Sequence, residues 1–125
     1  MAKLLLIDDD VDVIAQYRAA LAGTGHELTV ANSAAEARAA LKRGVPELAV
    51  VDIMMDNGIP GFDLAREIHE KAPKAPILMA SSLNSELKTP FDSKADAKLP
   101  IFKFLDKPVA AKTLVEEIRL ALAQR

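Results

Sequence analysis

The chain has 125 residues, 50% of them hydrophobic and 27% charged, which is the make-up of one soluble globular domain. A chain of this length removes roughly two-thirds of its unfolded surface from water, so it needs neither disulfides nor a structural metal to fold; the absence of cysteine excludes thiolate-held zinc, iron–sulfur centres and thiol catalysis, and fits a reducing cytoplasm. Sixteen Lys+Arg against 18 Asp+Glu leave a net charge of -2, which gives no general attraction to nucleic acid or anionic membrane, and no apolar run approaches a bilayer span or a cleaved leader.

The first apolar run, Leu4 to Ile7, has strand length and delivers the chain to Asp8, Asp9 and Asp10. Val11, Ile14 and Leu21 then recur at helical spacing and stop before Gly23, with Asp10 at the N-cap and Asp12 in the first turn, where the helix dipole favours negative charge. Leu28 to Ala31, preceded by Gly25-His26, alternates in polarity and predicts a second strand, with His26 read as solvated surface. Ser33 stands three residues before Glu36 in the pattern that satisfies free backbone N–H groups reciprocally, opening a helix that carries Ala34, Ala37 and Leu41 and stops at Gly44.

Leu48 to Val51 is a third strand-length run and ends on Asp52. Phe62, Ala65 and Ile68 predict a helix that stops before Pro73 and keeps His69 on its polar face. Ile77 to Ala80 is a fourth strand followed by Ser81 and Ser82. From Asn84 to Pro100, Pro90 and several polar residues stand where another helix is expected, which predicts at most a short or frayed one. Ile101 to Leu105, interrupted by Lys103, leads to Lys107 and Pro108. A last helix over about Ala110 to Ala123 places Leu114, Ile118 and Leu122 on one stripe, with Ala110 where a capping Ser or Thr would help it.

Strands alternating with helices imply an α/β domain with a parallel sheet and helices on both faces. Strands buried on both faces must be apolar throughout, so the first, third and fourth are central and the second and fifth are edges. The spatial order 2-1-3-4-5 follows, a flavodoxin-like doubly wound five-stranded sheet formed by a single domain over residues 1–125.

Ligands of such sheets bind beyond the carboxyl ends of the strands where strand order reverses, here between the first and third. The residues that the strands deliver there are Asp8, Asp9, Asp52, Ser81, Ser82 and Lys107. Carboxylates brought together repel one another unless a cation joins them. Mg²⁺ suits hard oxygen ligands and phosphate oxygens, a lysine and a serine supply a second positive charge and a donor, and an aspartate beside the ion can act as a nucleophile toward phosphorus.

These residues resemble those of the response-regulator receiver domains of two-component signalling. The segments that carry the resemblance are LLLIDDD at Leu4 to Asp10, AVVDIMM at Ala49 to Met55, PILMASS at Pro76 to Ser82 and FLDKP at Phe104 to Pro108. It implies a phosphorelay role in which Asp52 accepts a phosphoryl group from a histidine kinase or phosphotransfer protein. Asp8 and Asp9 would hold Mg²⁺ together with Asp52 and the carbonyl of Met54. Ser81 would follow the phosphoryl group, Lys107 would pair with it, Phe104 would act as the aromatic switch, and Ser82 would flank the donor's approach. A cis peptide before Pro108 is also implied. The downstream partner is an unnamed protein, a homodimer stays open, and no output domain is expected.

The sequence departs from the family pattern in two places. Pro60 lies eight residues after Asp52 rather than the usual four, which lengthens that loop and brings Asp56 near the site. The interval from Ser81 to Lys107 is longer than usual, with AKLP ahead of the fifth strand. Two other functions remain open: a receiver-like interaction module that is not phosphorylated, and a small phosphohydrolase of the haloacid dehalogenase type with Asp8 as nucleophile and Asp10 as general acid.

Overall fold

The structure, a computed structural model, describes residues 2–53, 61–81 and 101–124, apart from the side chains of Phe62 and Ser81. The loop with Met54, Asp56 and Pro60, and the stretch that runs from Ser82 through Pro90 to Pro100 with its expected helix, lie outside the described residues. In chain order the elements are β1 (Lys3–Ile7), α1 (Val11–Leu21), β2 (Glu27–Ala31), α2 (Ala34–Arg43), β3 (Leu48–Asp52), α3 (Gly61–Lys71), β4 (Ile77–Ser81), β5 (Ile101–Asp106) and α4 (Ala111–Ala123). All neighbouring strands pair in parallel, in the order β2-β1-β3-β4-β5 that the apolar runs predict. Among the described residues no helix is long and apolar enough to cross a membrane.

The two-residue period of a strand divides the core into two layers. Leu5, Ile7, Ala49, Val51, Ile77 and Met79 face α2 and α3. Leu4, Leu6, Leu48, Val50, Leu78 and Leu105 face α1 and α4 through Ile14, Tyr17, Leu21, Leu114, Ile118 and Ala121. Each fully buried Leu, Ile or Val contributes about 1.5–3 kcal/mol, so the central strands, apolar on both sides, dominate the stability. β5 is an edge, and its pairing skips Phe102 at a register shift between Ile77 and Leu78.

The N-caps of α1 and α2 fall at the expected residues, but the Glu36 carboxylate accepts from the Asn32 N–H, one residue before the position a reciprocal box with Ser33 requires. The Asp10 carboxylate accepts from the Asp12 N–H at 2.9 Å, and the Ser33 hydroxyl accepts from the Glu36 N–H at 3.1 Å. Ala110 offers α4 no side-chain cap. The Lys107–Pro108 peptide is cis, as the resemblance implies.

The apolar stripe of α1 is Ile14, Tyr17 and Leu21, whereas Val11 is 66% exposed. Val11 is the first residue of α1, four positions past the end of β1 at Ile7. His26 is half-buried rather than solvated, and its Nδ1 accepts the Ala2 N–H at 3.0 Å. Burial lowers its pKa, which keeps the ring in the neutral form this bond needs. His69 is also half-buried, with Nδ1 enclosed and unpartnered among the described residues.

Candidate functional site

Three rows of the sheet's α1/α4 face continue beyond the core as charged residues. Leu4 and Leu6 lead to Asp8, Leu48 and Val50 to Asp52, and Leu105 to Lys107. Parallel register places Leu6 beside Val50, so the next residues on that face, Asp8 and Asp52, leave adjacent strands at the same level. β1 connects outward to β2 while β3 continues toward β4 and β5, so the strand order reverses between β1 and β3 and opens a crevice there.

In that crevice, ligand atoms of Asp8, Asp9 and Asp52 lie within 4.8 Å of one another. Asp8 is fully buried, Asp52 is 7% exposed and Asp9 is exposed. The Lys107 ammonium stands 2.5 Å from Asp8 Oδ2 and 3.2 Å from Asp52 Oδ1. Asp8 Oδ1 accepts the Asp10 N–H at 2.9 Å, whereas Oδ2 has no further hydrogen-bond partner among the described residues. A cleft of about 440 Å³ opens over this group, walled by Asp9, Asp10, Val13, Gln16, Pro108 and Val109.

Burial alone would lower the pKa of Lys107, but its contacts with Asp8 and Asp52 outweigh that effect and raise it above the ordinary lysine value. The lysine therefore stays charged at neutral pH. One ammonium beside three carboxylates still leaves excess negative charge, which a divalent cation would offset. The hard oxygen donors and the incompletely satisfied Asp8 Oδ2 suit such an ion.

The remaining expected residues are placed in part. Ser81 ends β4 in register with Asp106, with its side chain not described. Phe104 pairs in register with Met79 and packs, partly buried, against the α2/α3 layer. Met54, Ser82 and Asp56 lie outside the described residues.

Tyr17, on the α1 stripe, has no sequence signal beyond its apolar spacing. It is 2% exposed, and its hydroxyl has no partner among the described residues. Burial, followed by the charges of Asp8 and Asp52, pushes its pKa far above the ordinary tyrosine value, so it stays a neutral phenol. Tyr17→Phe removes an unsatisfied buried hydroxyl and should raise stability by about 1 kcal/mol in urea denaturation. A loss of stability instead would show that the hydroxyl has a partner.

The family model of the response regulator receiver domain matches residues 4–119. Transcriptional regulatory protein GlrR of Escherichia coli is 32% identical over 123 residues, which cover 98% of this chain and 27% of GlrR. Protein PilH of Pseudomonas aeruginosa is 26% identical over 125 residues, covering 98% of this chain and 99% of PilH. The chain spans about a quarter to a half of the length of the first curated relatives it matches. Among solved structures, the receiver domain of NtrX from Brucella abortus superposes with a TM-score of 0.83 at 28% identity, over 98% of this chain and 99% of that one. With its acidic crevice at the strand switch point and a family match over most of its length, the chain belongs to the response-regulator receiver domains.

Proposed function

We propose that this receiver domain accepts a phosphoryl group on Asp52 from a histidine kinase or phosphotransfer protein and signals through a conformational switch. The observation that carries the reading is the buried Asp8–Lys107–Asp52 arrangement, with Asp9 close by at the mouth of the cleft. A carboxylate oxygen of Asp52 forms the new bond to phosphorus while the bond from phosphorus to the donor atom breaks. Lys107, already 3.2 Å from Asp52 Oδ1, is placed to neutralise the charge that the phosphoryl oxygens bring.

Asp8, Asp9 and Asp52, with the Met54 carbonyl, would hold Mg²⁺, which when bound offsets negative charge on the transferred group. The phosphoryl group adds a charge of about -1.5 to -2, a demand that the hydroxyl of Ser81 would meet. Phe104, packed on the face opposite the acids, would respond to that movement as the switch.

Asp8 is poorly suited to be a phosphohydrolase nucleophile. One of its oxygens is engaged by the Asp10 N–H and the other faces Lys107, which orients this carboxylate as a holding group.

Incubation with Mg²⁺ and acetyl phosphate tests the reading. The wild type should acquire an alkali-labile protein phosphate, visible on a phosphate-affinity gel, and Asp52→Asn should acquire none. Continuous phosphate release that depends on Asp8 would replace this reading with hydrolysis, and an unlabelled wild type would leave an interaction module.

A further inference from the structure

β2 ends at Ala31, and Asn32 reaches back across the end of the β1–β2 ladder. Its Nδ2–H donates to the main-chain carbonyl of Asp8 at 3.2 Å, just beyond the last rung, Ile7 to Ala31. Asn32 is itself fixed, because its N–H donates to Glu36 Oε1 at 2.6 Å. In an ordinary capping box the glutamate returns to the N–H of the capping residue. Here Ser33 caps α2 and Glu36 reaches one residue further back, which ties the start of α2 to Asn32 and, through Asn32, to Asp8.

The carbonyl that Asn32 holds belongs to the peptide joining Asp8 to Asp9. A peptide unit is planar, so fixing its oxygen fixes the direction in which the chain leaves for Asp9. Asp8 is anchored on its other sides, by its N–H to the Ala31 carbonyl at 3.1 Å and by Oδ1 to the Asp10 N–H. The Asp9 side chain is exposed, so its aim comes from this backbone rather than from packing.

We infer that Asn32 is a positioning residue for the acidic pair: it sets the Asp8–Asp9 peptide so that both carboxylates face one divalent cation. The inference rests on the reading that Asp8 and Asp9 hold such an ion. Groups that orient metal ligands from behind change affinity by about 10- to 100-fold when removed.

Titration with Mg²⁺ by calorimetry, at a temperature where every variant is folded, tests it. Asn32→Leu should bind Mg²⁺ about ten-fold more weakly than wild type. Asn32→Asp separates geometry from charge: it adds a negative group that would strengthen binding by attraction alone, yet it loses the donor and should bind more weakly. Glu36→Ala, an exposed change that frees the Asn32 main chain, should shift affinity in the same direction and serves if the Asn32 variants fold poorly. A purely structural role would lower thermal stability and leave Mg²⁺ affinity at the wild-type value, and that result overturns the inference while the phosphorylation reading stands. A wild type that does not bind Mg²⁺ overturns both.

Discussion

Lys107→Met should cost about 3 kcal/mol of stability in metal-free buffer at neutral pH, because it removes a positive group from between two buried carboxylates. The methionine keeps a long unbranched chain, so little of the loss comes from packing. The Lys107 side chain is 10% exposed and that of Asp8 1%, so solvent screens their interaction poorly. The pH dependence has a definite sign. The folded-state pKa of Lys107 is raised, so its contribution is complete below the unfolded lysine value of about 10.4 and disappears as pH rises through the higher folded value. The stability gap between wild type and Lys107→Met should therefore stay open across neutral pH and close only in strong alkali. Mg²⁺ should narrow it at neutral pH, because an ion among Asp8, Asp9 and Asp52 replaces part of the missing charge. Urea denaturation with and without Mg²⁺ measures both effects. A loss that Mg²⁺ leaves unchanged would show that the lysine acts by filling space.

The sheet was legible in the sequence because strands buried on both faces cannot hide among polar residues: Leu4 to Ile7, Leu48 to Val51 and Ile77 to Ala80 had to be central. The site was legible for a related reason. Asp8, Asp52 and Lys107 interrupt apolar rows where the core ends, and the sheet's parallel register brings such interruptions to one edge. What stayed hidden depends on contacts between segments remote in sequence. Helical spacing could not show whether Val11 or Tyr17 meets the core, since the answer turns on where β1 stops. Local polarity marks His26 only as a residue opening an edge strand, and its bond from the Ala2 N–H joins positions 24 residues apart. The capping pattern of α2 was evident, but its glutamate goes to Asn32, and no local rule connects that residue to Asp8.

Gly61→Ala should be strongly destabilising although the residue carries no functional group. Gly61 opens α3, and its N–H donates to the Ile53 carbonyl at 2.5 Å. A β-carbon there would collide with the carbonyl oxygen of Asp52 and lie 2.9 Å from its carbonyl carbon, and both obstacles are main chain that no rotamer change can clear. The requirement is for space, and the only relief is to push the first turn of α3 away from the end of β3 or to shift Asp52 itself. Overpacking of this kind costs about 3 kcal/mol. For a domain of this size that lowers Tm by roughly 10 °C. Gly44 provides the control: a β-carbon there meets nothing within 4 Å, and its φ of 165° is extended backbone that any residue adopts. Gly44→Ala should change stability by no more than about 0.5 kcal/mol. If Asp52 accepts phosphate, Gly61→Ala should also slow labelling by acetyl phosphate at temperatures where it remains folded, because the shift falls on the backbone that aims the carboxylate at Lys107. Equal Tm values for the two alanine variants would mean that the backbones of α3 and β3 do not approach this closely in solution.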